Sequence, residues 1–110
     1  MSGRGEGDDL EAYDLLDEDD PFEVDDQNVH LFKHAVFGYE DALDVFRSDP
    51  IYFPDESDGP ADWLMVAQVP GGDVLLVPLA AANYSGTTKM RPIGVYEAPR
   101  WLRDRYLEAR

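Results

Sequence analysis

Val29, Phe32 and Val36 recur at i, i+3 and i+7, a spacing that predicts a helix over residues 28–36 with these side chains toward a core. His30, Lys33 and His34 fall on its opposite side. A second helical pattern over residues 39–47 turns Ala42, Val45 and Phe46 inward, with Gly38 separating the two helices and Asp49-Pro50 stopping the second. The period then changes. Trp63 to Val69 and Val74 to Ala80 are β-rich runs joined by Pro70-Gly71-Gly72-Asp73, which predicts a hairpin. Leu75, Leu76 and Val77 form an unbroken apolar run, as in a strand covered on both faces, while Pro78 removes a ladder donor and favours an edge or a bulge there.

The flanks complete the pattern. Phe22 to Val24 reads as a short opening strand, Pro54 to Pro60 and Asn83 to Thr87 as loops, and Met90 to Ala98 as a strand interrupted by Pro92 and Gly94. A last helix is expected from Pro99, as first helical residue, to about Glu108, with Leu102 and Tyr106 toward the sheet. Residues 1–20 are rich in Gly and acid and read as a disordered tail, apart from one helical stripe of Leu10, Tyr13 and Leu16. Residues 21–110 then form a single domain of the α+β class: a small antiparallel sheet, two amino-terminal helices and one carboxyl-terminal helix.

At 110 residues with 44% hydrophobic content, one modest core is the natural expectation. The absence of a membrane-length apolar run or a signal-peptide pattern reads as a cytoplasmic protein. Zero cysteine removes disulfides, thiolate zinc sites and thiol catalysis. The formal net charge of −15 is unevenly placed: residues 1–26 carry twelve acidic side chains against Arg4, whereas residues 89–110 are net +3. This asymmetry fits a basic surface for phosphates beside an acidic tail that covers it, and equally two solvated segments of opposite sign.

Phe22-Glu23, Asn28, Lys33-His34, Glu40-Asp41-Ala42 and Val45-Phe46 follow one another in an order that resembles the amino-terminal half of BrnT-type toxins. The resemblance continues through Asp49-Pro50-Ile51-Tyr52-Phe53 to Arg91, Arg103 and Tyr106, over residues 22–108. It implies a RelE-like fold and the toxin of a type II toxin-antitoxin system, acting on RNA as a metal-independent endoribonuclease or as an RNA-binding inhibitor of translation, without a cofactor. The implied partner is an antitoxin of the ribbon-helix-helix type, with a homodimer inside the complex and no membrane.

Within that frame Lys33, His34, Arg91 and Arg103 are the candidate catalytic residues. A His can shuttle a proton, and Lys and Arg can neutralise charge developing on a phosphate. Lys89, Tyr96, Arg100 and Tyr106 are the candidate RNA-binding residues, with Tyr106 also anchoring the last helix and Trp101 available for stacking. Arg100, Arg103 and Arg110 share one helix face, which is equally a solvated face paired with Asp104, Glu108 or the tail. His30 and His34 have a metal-clamping i, i+4 spacing but no third ligand, so no metal site is assigned. Active BrnT-like sequences carry arginines where this chain has Trp63, Gln68 and Tyr96. These losses open a second reading: a non-catalytic toxin-fold binding or regulatory protein whose acidic tail engages a basic partner or masks the Arg-rich helix.

Overall fold

Alternation along residues 61–68 sends Trp63, Met65 and Ala67 to one face and Leu64 and Val66 to the other, and the rest of the fold is built around that strand. The computed structural model describes residues 21–22, 24, 26–33, 36–57, 59–80 and 90–110, leaving aside the side chains at 26, 27, 29 and 31. The stripe of Leu10, Tyr13 and Leu16, the loop at 83–87, His34 and Lys89 lie outside the described residues. In the sheet, β1 (Ile51–Pro54) and β3 (Val74–Ala80) pair antiparallel on either side of β2 (Ala61–Gln68). Beyond β3 lie two short strands, β4 (Arg91–Pro92) and β5 (Tyr96–Glu97), both antiparallel to it. The fold is α+β with a small antiparallel sheet.

The β2–β3 hairpin closes where Gly71-Gly72 allows it. Gly72 has φ +99°, and its N–H donates to the Val69 carbonyl at 2.8 Å. A Cβ there would meet no atom within 4 Å, so Gly72→Ala tests backbone strain alone. It is expected to destabilise by about 1–2 kcal/mol in urea denaturation.

Both faces of β3 are covered. Leu75, Val77 and Leu79 join one core cluster, while Val74 and Leu76 join another on the reverse face. Pro78 sits neither at an edge nor in a bulge: it pairs with Leu64 in the middle of the sheet, and the irregularity in that pairing lies at Ala61/Trp63. Its carbonyl accepts the Ile93 N–H at 3.0 Å, so its missing donor faces the same side, the gap between β4 and β5. The proline is tolerated because the neighbouring strand is broken opposite it.

Among the described residues three helices flank the sheet. The first, α1 (Asp26–Lys33), begins and ends earlier than its sequence pattern predicts. Phe32 is buried as expected, but Val36 lies beyond the helix at 94% exposure. Asn28 is buried in Val36's stead, and its Nδ2 donates to the Pro92 carbonyl at 3.1 Å, fastening α1 to β4. In α2 (Tyr39–Arg47), the Gly38 N–H donates to Asp41 Oδ2 at 2.8 Å while the Gly38 carbonyl accepts from the Asp41 and Ala42 N–H groups. Glu40 and Asp41 in the first turn and Arg47 in the last complement the helix dipole. Ala42, Leu43 and Val45 are buried, with Phe46 half-buried beside them.

The expected opening strand shrinks to one parallel bridge, Phe22 with Met90. The last helix, α3 (Arg100–Ala109), packs Leu102 and Tyr106 against Val66, Val74 and Leu76. Pro99 is its cap rather than its first helical residue: its ψ of 158° is extended, and its carbonyl accepts from Leu102 and Arg103. Thus α1 and α2 cover one face of the sheet and α3 the other. Among the described residues no helix is long and apolar enough to cross a membrane.

Candidate functional site

The outward side of α3 carries exposed Arg100, Trp101, Arg103 and Arg105. Leu102 and Tyr106 fix its orientation, one turn apart and facing the sheet, so the residues between them look outward. Arg100 Nε lies 4.0 Å from Asp104 Oδ2 with both side chains largely in solvent, a pair too screened to hold the guanidinium away from a ligand. Arg105 leans over the Phe53 ring, 5.3 Å from its centroid, and so shields apolar surface while its charge stays exposed. Trp101 and Tyr96 are 58% and 54% exposed, enough to offer a ring face. The Tyr96 ring lies back over Gly94, where an added Cβ would come within 2.7–2.9 Å of its atoms.

Two of the candidate catalytic residues, Lys33 and Arg103, do not come together. Lys33 ends α1, whose Phe32 enters the cluster of Trp63, Met65 and Val77. Arg103 stands on α3, whose contacts belong to the reverse face. A sheet and two helix layers separate the two cations, a distance on the order of 20 Å at usual layer spacings. One scissile phosphate cannot touch both. Arg91 is only 5% exposed on β4 and is already engaged by other groups. Tyr106 is also buried, at 4% exposure, where its hydroxyl oxygen accepts the Gln68 N–H at 3.2 Å. It anchors α3, as the sequence suggests, and offers no open ring for a base. Lys89 and His34 lie outside the described residues.

Trp63 and Gln68, two positions where arginine is expected from the sequence reading, have structural work of their own. Trp63 is core, 3% exposed, and its buried indole N–H finds no acceptor among the described residues. Gln68 is exposed and bridges two elements, with Nε2 donating to the Gly72 carbonyl at 3.0 Å and Oε1 accepting from Arg110 Nη1 at 2.6 Å. That Arg110 guanidinium also lies over the Tyr106 ring, 5.7 Å from its centroid. Sequence reading misses this constellation because Gln68 and Arg110 are 42 positions apart and neither stands in a local motif. An open groove of about 440 Å³ adjoins it, where α2 leads into β1. No model of a known protein family matches the chain, and a search of curated proteins finds no match either.

Proposed function

We propose that this chain is a RelE-like, toxin-fold protein that works by binding, with the outer side of α3 as its contact surface for an anionic partner. The observation that carries the proposal is the separation of Lys33 and Arg103 onto opposite sides of the sheet, with Arg91 buried. Catalysis of phosphodiester cleavage needs its charged groups converged on one phosphate within hydrogen-bonding reach. Binding needs only cations and ring faces on one surface, as α3 presents them. The acidic residues 1–26 have the charge to compete for that surface, which makes self-masking the natural regulatory mode.

An RNA-cleaving toxin neutralised by an antitoxin is the second reading, favoured by exposed Trp101 and Tyr96 together with exposed Arg100 and Arg103, residue types suited to stacking and phosphate contact. Induction in a bacterial host separates the two, with wild type beside Lys33→Ala/Arg103→Ala and total RNA probed for new ends. Normal growth with soluble protein and intact RNA is expected. Growth arrest with cleavage, abolished by the double change, would overturn the binding reading.

A further inference from the structure

The carboxyl ends of α2 and α3 meet beside the start of β1, and the 440 Å³ groove lies between them. Its size is that of a small-molecule site. Two donors line one part. Tyr106 is almost wholly buried, and its hydroxyl accepts from Gln68 yet donates to no acceptor among the described residues. Arg110 is held by Gln68 Oε1 and by the Tyr106 ring, which fixes a planar fork of N–H groups at the same place. A carboxylate is the natural complement of a phenol O–H beside a guanidinium.

Asp49 lines the groove as well, with its backbone at φ +56° and its carboxylate without a partner among the described residues. The last turns of both helices add the partial negative charge of their carbonyl ends. A lone anion would therefore meet Asp49, and a lone cation would meet Arg110. Ile51 and Ala109 supply apolar wall to the same groove. We infer that the groove is a binding site for a free α-amino acid with an aliphatic side chain, its carboxylate on Tyr106 and Arg110 and its ammonium toward Asp49. The site is independent of the outer side of α3, so either can fail without the other.

The test is titration of the ¹⁵N-labelled full chain with L-leucine, with 4-methylpentanoate, which lacks the ammonium, and with leucinamide, which lacks the carboxylate. L-Leucine is expected to give saturable shifts at the Ile51, Gln68 and Arg110 amides, and each analogue to bind about tenfold more weakly. Tyr106→Phe should weaken leucine binding by a similar factor with the dispersion of the spectrum retained. Arg110→Gln, at an exposed position, gives the same readout should the buried change disturb folding. Asp49→Asn should weaken leucine and leucinamide but strengthen 4-methylpentanoate, whose carboxylate then meets no like charge at that position. Absence of saturable shifts with leucine, equal binding of either analogue, or full leucine affinity in Arg110→Gln would overturn the assignment.

Discussion

Phe22→Ala is expected to cost about 3–5 kcal/mol, the usual range for removing a fully buried aromatic ring. The residue lies where the described chain begins, yet its ring is only 2% exposed. It meets Tyr39 edge-on at 5.8 Å and Phe46 at 6.0 Å, both side chains of α2. Such aromatic pairs add about 0.5–1.5 kcal/mol each beyond burial. The backbone around it is tied to the sheet, since the Met90 N–H donates to the Pro21 carbonyl at 2.9 Å. Truncation thus opens a cavity beneath α2 at the point where the amino-terminal segment grips the sheet. Against a total stability of about 5–15 kcal/mol for a domain of this size, the loss should be plain in urea denaturation. Val36→Ala makes the matched control, because its side chain is 94% exposed and a change within about 0.5 kcal/mol is expected. Equal effects of the two substitutions would refute this account of the core.

The contrast between Phe22 and Val36 shows where sequence patterns suffice. Helix α2, the β2–β3 hairpin and α3 are set by signals within a few residues of each other: Gly38 and Asp49-Pro50, the Pro70–Asp73 turn, and Pro99. The inward turn of Asn28 in α1 is set from a distance, by the Pro92 carbonyl that it reaches, and a polar residue turned inward is invisible to hydrophobic periodicity. The break between β4 and β5, by contrast, is readable in place, from Pro92 and Gly94 within that segment. The site follows the same division. Cationic and aromatic residues of α3 are readable from the chain, and so is the inward turn of Leu102 and Tyr106. Which sheet face receives α3 is decided by the crossing of the chain beyond β5, and that choice alone determines whether Lys33 and Arg103 can meet. The groove at Gln68 and Arg110 has no local signal at all.

Arg91→Ala is expected to destabilise the protein by about 3 kcal/mol or more, whereas Lys33→Ala and Arg103→Ala should each stay within about 0.5 kcal/mol of wild type. The three residues are equivalent in a sequence-based site and entirely different in the fold. Lys33 and Arg103 stand in solvent, while Arg91 is 5% exposed and bound into its surroundings. A buried cation persists only where other groups satisfy it, and its removal leaves those groups desolvated and unpaired. Arg91→Lys should recover little, because an ammonium cannot reproduce the planar fork. Urea denaturation of the four variants, read beside RNA binding at two salt concentrations, separates structure from contact. Arg103→Ala should flatten the salt dependence of any RNA binding without touching stability, and Arg91→Ala should do the reverse. An Arg91→Ala protein as stable as wild type but unable to bind RNA would make Arg91 a ligand contact, and would return weight to a nuclease centre on the α3 side of the sheet, the side that its pairing with Ala80 gives it.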